Sequence, residues 1–227
     1  MNILAIETAT ETCSVALSVD GDIRQRYKHA PRQHAELLLP WIEELLAEAD
    51  IGFGAVDGIA FSRGPGSFTS LRIGIGVVQG LAWASDCPVI PVSSLAATAQ
   101  AAADKGIKTA LVALDARMKE VFTGLFRLND NGIMTADGKE RVCGPELVHV
   151  PDEAEIHAVG IGFERYPQLT ELAGRLAGMH TDIWPDAVSV LKLAQEWLQS
   201  NKALPAEMAQ PVYLRDNVAQ KSKPPVT

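Results

Sequence analysis

The sequence is poor in basic residues and in cysteine. It contains 20 Lys and Arg against 28 Asp and Glu, which gives a formal net charge of −8. Because affinity for a phosphate backbone comes from clustered Lys and Arg, this balance argues against tight, autonomous binding to nucleic acid. The three cysteines, Cys13, Cys87 and Cys143, lie far apart and form no close pair, so they indicate neither a disulfide framework nor a zinc knuckle and favour a reducing compartment.

Motifs for metal, nucleotide and hydrolase chemistry are also missing. The five histidines include no i, i+4 pair, and no HExxH, GxxxxGKS/T or GxSxG sequence occurs. The sequence therefore predicts no metal ligands and no catalytic residues in this chain.

No hydrophobic run is long enough to span a bilayer. The longest, residues 73–84, is rich in glycine and is interrupted by Gln79. The first residues enter an apolar strand without a basic leader or a small-residue cleavage site. We therefore expect a cytoplasmic protein without membrane contact.

Hydrophobic periodicity predicts alternating strands and helices. A three-stranded meander is predicted over residues 3–7, 13–19 and 23–27, with Asp20-Gly21 as the hairpin turn. Amphipathic helices follow at 33–49 and 68–84, with a strand at 56–62 between them. A strand at 88–92 and an alanine-rich helix at 93–104 complete this part. The order predicts an α/β fold with a mixed sheet covered by helices.

The opening module is repeated later in the chain. The segments LAIETATETCSVAL and VALDARMKEVFTGLF both contain an apolar strand, an acidic residue at its end, a short turn and a second strand. Further strands are predicted at 110–115, 121–128 and 158–161, and helices near 166–176 and 188–198. These elements predict two lobes, residues 1–104 and a smaller lobe with a tail, residues 105–227.

Acidic residues at the two repeated strand ends form the candidate nucleotide site. Glu7 and Thr8 end the first strand, and Asp115 ends its counterpart, so two carboxylates could face each other across a cleft and hold Mg²⁺ with a nucleotide. Ala9 weighs against this interpretation, because it stands where glycine would let backbone amides approach a phosphate. Ordinary surface acids at strand ends remain the alternative. The loop 63–69 has the same ambiguity between an anion site and a simple helix cap.

The helix predicted at 33–49 carries more apolar positions than one core-facing stripe requires. The apolar arc extends into a face that a partner could cover, and glycines on the helix at 68–84 permit close helix packing. The alternative is that these positions cover the chain's own sheet. The predicted interface positions are Leu37, Leu38, Trp41, Ile42, Leu45, Gly74, Gly76 and Gly80.

Four segments give the chain a family resemblance. The opening ILAIETATETCSVAL, the long segment GPGSFTSLRIGIGVVQGLAWASDCPVIPVSSL, LDARMKEVF and the terminal PVYLR are similar to the TsaB family, also called YeaZ. The resemblance covers nearly the whole chain. It implies membership of the actin, Hsp70 and sugar-kinase superfamily, with two ribonuclease-H-like lobes, in agreement with the duplicated hairpin.

The resemblance also implies a role in tRNA modification. TsaB-family proteins act in forming N6-threonylcarbamoyladenosine at position 37 of tRNAs that read codons beginning with A, as partners of the paralogous transferase TsaD and the ATPase TsaE. The paralogue has a histidine metal pair where this chain reads Ser93-Ser94-Leu95. We therefore expect a non-catalytic scaffold without a cofactor of its own, ATP and Mg²⁺ being used by the assembled complex.

The same resemblance sets the expected partners. The helices at 33–49 and 68–84 are expected to pack against the equivalent helices of TsaD, or against those of a second copy when the chain is alone. The chain is expected to contact tRNA only as part of the complex. The alternative function is an active metalloprotease-like or ATP-dependent enzyme that uses the cleft between the lobes.

Overall fold

The computed structural model describes residues 1–153, 155–199 and 203–215. Its strands are β1 Ile3–Glu7, β2 Thr12–Val19, β3 Asp22–His29, β4 Gly58–Gly64, β5 Val89–Ser93, β6 Thr109–Asp115, β7 Val121–Leu128, β8 Met134–Ala136, β9 Arg141–Cys143, β10 His157–Val159 and β11 Gly178–His180. Its helices are α1 His34–Glu48, α2 Phe68–Ser85, α3 Ser94–Ala103, α4 Gly162–Arg165, α5 Pro167–Thr170 and α6 Ala187–Gln199.

Two sheets share one strand order. The first sheet runs β3-β2-β1-β4-β5, with β1 antiparallel to β2 and parallel to β4. The second runs β8-β7-β6-β10-β11, with β6 antiparallel to β7 and parallel to β10. The module found twice in the sequence therefore folds twice with the same topology, which confirms two ribonuclease-H-like lobes of mixed sheets flanked by helices.

Side chains alternate between the two faces of each central strand, and each face is covered by different helices. On β1, Leu4 and Ile6 pack in the cluster that contains α1 and α2, whereas Ile3 and Ala5 pack against α6. On β6, alternate residues face α3 or the cluster that contains α4 and α5. The central strands β1 and β6 are therefore buried on both faces, as their nearly continuous apolar sequences require.

The strands before residue 104 form the first sheet and those after it form the second, but two helices pack on the sheet from the other side of this boundary. Helix α3 comes before that position but packs on the second sheet, while α6 comes after it and packs on the first. Lys192 Nζ of α6 lies 2.6 Å from Asp104 Oδ1 just after α3. The two helices lie against each other between the sheets, so each lobe is completed by a helix from the other part of the chain.

The last described residues return to the first lobe. Residues 203–215, hereafter the strap, pair with β5 at Leu204, where the Leu204 N–H donates to Val89 O at 3.0 Å. Gln79 of α2 then donates to Ala209 O at 2.8 Å, and the Val212 N–H donates to Arg63 O at 2.7 Å. At its end Arg215 reaches the second lobe, where it donates to Ala116 O at 3.1 Å.

The predictions for the second lobe were partly wrong. The helix predicted near 166–176 is divided into the short α5 and a 3-10 turn at Glu171–Arg175, and strands β9 and β11 were not predicted. No helix in the described part of the chain is long and apolar enough to cross a membrane.

Candidate functional site

Glu7 is sealed inside the first lobe. Its side chain is fully buried at the end of β1, where the Ala9 N–H donates to Oε1 at 2.5 Å and Oε2 is hydrogen-bonded to the Ser62 hydroxyl. Burial raises the pKa of Glu7 from 4.5 to about 8, although the bond from Ala9 opposes the shift. The raised pKa favours the neutral form of Glu7 at pH 7, and a neutral buried carboxyl is a poor ligand for Mg²⁺.

Thr8 is held by the close approach of α2. Gly74 lies directly over it, and a Cβ at Gly74 would come within 2.2 Å of Thr8 Oγ1. Thr8 itself is 2% exposed. The prediction that Gly74 belongs to a partner interface is wrong, because Gly74 is buried. Its lack of a side chain lets α2 pack on the β1–β2 turn of its own lobe.

The glycine-proline loop before α2 uses its polar groups internally. The Ser67 N–H donates to Ala9 O at 2.7 Å, and a Cβ on Gly66 would lie 2.3 Å from the same oxygen. The loop therefore packs on the turn that follows Glu7. This contact favours the packing interpretation of the loop over the anion site.

Asp115 is engaged by groups of its own lobe. Its carboxylate accepts hydrogen bonds from Arg165 Nη1 at 2.6 Å, Tyr166 Oη at 2.7 Å and the Arg117 N–H at 2.8 Å. Burial alone would raise the pKa of Asp115, but the bonds from Tyr166, Arg117 and Arg165 outweigh it and hold the pKa below its ordinary value. Asp115 is thus ionised, with its charge already paired.

Glu11, which the sequence analysis did not identify, connects the lobes. Its Oε1 lies 2.9 Å from Arg165 Nη2 and 3.3 Å from Arg117 Nη2. The interlobe network of Glu11, Asp115, Arg117, Arg165 and Tyr166 therefore contains two carboxylates and two guanidinium groups, and its formal charge is zero. The partners lie more than a hundred residues from Glu11 in sequence, so no local pattern could have revealed them.

The polar groups at the start of α3 also form hydrogen bonds within the chain. Ser93 caps this helix by accepting hydrogen bonds from the N–H groups of Leu95 and Ala96 at 3.2 and 3.3 Å. Its hydroxyl donates to the carboxylate of Glu140 from the second lobe. Within residues 1–153, 155–199 and 203–215, no three His, Cys, Asp or Glu side chains converge as metal ligands.

The predicted interface positions on α1 divide into two groups. Leu38, Ile42 and Leu45 are at most 2% exposed and belong to the core between α1 and the first sheet. They cannot contact a partner directly, which corrects that part of the prediction. Leu37 and Trp41 are half-buried at the edge of the same cluster.

The outer face of α2 carries the remaining candidates. Gly76 and Gly80 are exposed, and a Cβ on either would meet no atom within 4 Å. Beside them Trp83 is 75% exposed, although the sequence analysis did not select it. Its spacing of three and seven residues from the two glycines was the available signal. These residues line a groove of about 430 Å³ together with Ala206 and Glu207 of the strap.

The comparisons with known proteins agree with this arrangement. The family model for TsaD, tRNA N6-adenosine threonylcarbamoyltransferase, matches residues 27–223. The Escherichia coli (strain K12) protein named tRNA threonylcarbamoyladenosine biosynthesis protein TsaB is 40% identical over 228 residues, 99% of each chain. The protein of the same name from Haemophilus influenzae is 38% identical over 99% of this chain and 98% of its own length.

A solved structure gives the same result in three dimensions. YeaZ from Pseudomonas aeruginosa is 42% identical and superposes with a TM-score of 0.86 over 94% of this chain and 99% of that one. The match extends through both lobes. By sequence and by structure, this chain belongs to the TsaB (YeaZ) family.

Proposed function

We propose that the chain is a non-catalytic partner and scaffold of a TsaD-type transferase that forms N6-threonylcarbamoyladenosine at position 37 of tRNAs reading codons that begin with A. The observation that carries this proposal is the state of the two candidate carboxylates. Glu7 is fully buried with a raised pKa, and Asp115 is paired with two arginines. Neither offers a free negative charge to a metal-bound nucleotide.

A rival enzyme function would need those groups. An ATP-dependent enzyme must place a Mg²⁺-nucleotide against a carboxylate, and here that would require Asp115 to exchange three internal hydrogen bonds for the metal. We assign ATP and Mg²⁺ to the assembled complex, with TsaE as its ATPase, and no cofactor to this chain.

The groove on α2 supplies the proposed partner surface. Trp83 is a large aromatic side chain left 75% exposed beside Gly76 and Gly80, whose lack of side chains lets another helix approach closely. Leu39 of α1, 47% exposed, adds apolar area on the same lobe. We propose that this surface packs against the equivalent helices of the TsaD paralogue, and that a second copy occupies it when the chain is alone.

Contact with tRNA is proposed to occur within the complex, in the cytoplasm. A net charge of −8 repels a polyanion, so positive surface contributed by the partner must supply most of the affinity.

Co-purification with the TsaD paralogue, followed by a tRNA modification assay, tests the proposal. We expect the purified paralogue and TsaE, supplied with threonylcarbamoyl-adenylate as donor, to modify tRNA only when this chain is added, and the isolated chain to turn over no nucleotide. A Trp83→Glu variant should stay folded but no longer bind the paralogue, because the substitution places a charge in a desolvated contact. Full modification without this chain, or nucleotide turnover by the chain alone, would contradict the proposal.

A further inference from the structure

An exposed cluster of two aromatic rings and an arginine lies at the start of α2. Phe68 is 50% exposed and Tyr213 of the strap is 44% exposed, with ring centroids 5.7 Å apart and planes inclined by 32°. Arg72 Cζ lies 3.8 Å from the centroid of the Phe68 ring, and Arg72 Nε donates to Tyr213 Oη at 3.1 Å. We propose that this platform of Phe68, Arg72 and Tyr213 stacks unpaired nucleotides of RNA. The inference deepens the proposed function, because it gives the chain a direct contact with tRNA inside the complex.

The platform is not explained by packing of the lobe. Phe68 and Tyr213 belong to none of the hydrophobic clusters of the core, which contain the buried side chains of α2. The contacts among the three side chains nevertheless hold the rings in a defined position. An ordered and exposed aromatic pair has little entropy to lose when a flat ligand stacks on it.

The charge around the platform favours an anionic ligand. In the described ranges no carboxylate forms an ion pair with Arg72, whose charge is met only by a ring face and a hydroxyl. A base that stacks on Phe68 or on the guanidinium plane brings its own phosphate, which supplies the missing counter-charge.

The strap joins the platform to the turn that follows β6. Arg215 follows Tyr213 by two residues, a backbone span of at most about 7 Å. Its guanidinium is ion-paired with Glu120, and its Nη1 lies 3.5 Å from Met118 Sδ. The turn that it contacts has three consecutive non-glycine residues in the left-handed region, Arg117, Met118 and Lys119, with φ of 60°, 53° and 64°. The adjoining Lys119 has no carboxylate partner in the part of the chain that the structure describes, and can meet a neighbouring phosphate.

RNA fits this surface better than an acidic protein does. Carboxylates of a partner protein would satisfy the cations but would leave the two ring faces without a matching group, whereas each unpaired nucleotide offers both a flat base and a phosphate. A protein ligand is therefore an outcome that the experiment has to separate from the proposal.

The first measurement uses the isolated chain and a single-stranded RNA hexamer that contains 2-aminopurine, at about 20 mM salt so that phosphate contacts are not screened. We expect binding to quench the 2-aminopurine fluorescence. Phe68→Ala and Tyr213→Ala should weaken binding roughly fivefold or more, since base–aromatic stacking is worth about 1–3 kcal/mol per base. Arg72→Lys, which keeps the charge but loses the planar group, should also weaken it.

Tyr27→Ala is the matched control, because Tyr27 of β3 is a 47% exposed aromatic residue outside both the platform and the proposed partner surface. It should leave hexamer binding unchanged. Absence of hexamer binding by the parent chain, or equal affinity of the parent and the platform variants, would overturn the inference.

The second measurement uses the assembled complex and full-length tRNA. The platform variants should bind the paralogue normally and raise the Kd of the complex for tRNA. If these variants instead weaken binding of the paralogue and leave the affinity of the complex for tRNA unchanged, the surface is a protein interface and the inference is wrong. If hexamer binding depends on the platform but the paralogue and TsaE modify tRNA fully in the absence of this chain, the inference stands and the proposed function fails.

Discussion

Replacing Glu7 by Gln should stabilise the protein, because the folded state holds this side chain in its neutral form. The carboxyl is fully buried, with one hydrogen bond to each oxygen. Glutamine has the same shape and keeps an oxygen for the Ala9 N–H, while its amide can donate to the Ser62 hydroxyl. The substitution therefore removes the ionisation of residue 7 and preserves its contacts.

The magnitude follows from the two pKa values. Glu7 has a pKa of about 8 in the folded protein against an ordinary 4.5. Between these values the unfolded chain has lost the proton that the folded chain keeps, so the free energy of unfolding falls by about 1.4 kcal/mol for each pH unit gained. At pH 7 the accumulated loss is on the order of 3 kcal/mol. Stability linked to Glu7 is thus fully present below pH 4.5 and is lost as the pH rises through 8.

Urea unfolding at several pH values from 4.5 to 8 measures this difference. We expect the two proteins to be about equally stable near pH 4.5, and Glu7→Gln to exceed the parent by an amount that grows toward pH 8. Glu43→Gln, at an exposed position of α1, removes a carboxylate outside the core and is the control. Parallel curves for the parent and Glu7→Gln across this range would show that Glu7 is ionised in the folded state and would refute the reasoning.

Three further predictions concern packing and charge. Leu38→Glu should unfold the protein, because it buries an unpaired charge at a position that is 0% exposed. Leu39→Glu, at a position that is 47% exposed, should fold normally in circular dichroism melts. A folded Leu38→Glu variant would contradict the core assignment. Gly74→Ala should cost about 1–3 kcal/mol, because its Cβ would meet Thr8 Oγ1 at 2.2 Å, while Gly76→Ala, with no atom within 4 Å, should be neutral or stabilising in urea unfolding. The isolated chain should bind tRNA only weakly at physiological salt in a gel-shift titration, and submicromolar binding would overturn this.

Much of the fold could be predicted because its signals are local. The hairpin at residues 12–29 and helices α1 and α2 follow from alternation and helical periodicity, and the repeated opening module indicated a second lobe of the same topology. Strand β11 has three residues, too few for a periodic pattern. Helices α3 and α6 pack on the sheet of the other lobe, which depends on contacts between distant segments that no local window contains.

The candidate site was harder to predict for a physical reason. Residue type identified Glu7 and Asp115, but their chemical state depends on burial of the first and on arginines that pair with the second. The apolar arc of α1 was assigned in part to a partner, yet Leu38, Ile42 and Leu45 cover their own sheet. An apolar pattern shows that a face is buried, and only the fold shows what buries it.

The claim that this chain assists modification without catalysing it is tested most directly by the N6-threonylcarbamoyladenosine content of tRNA from cells in which the only copy of the chain carries both Glu7→Gln and Asp115→Asn. These substitutions remove the two carboxylates and keep similar shapes. The account predicts modification close to the parent level, whereas Trp83→Glu in the same cells should reduce it sharply. A Glu7→Gln, Asp115→Asn variant that folds, binds the TsaD paralogue and leaves tRNA unmodified would contradict the account.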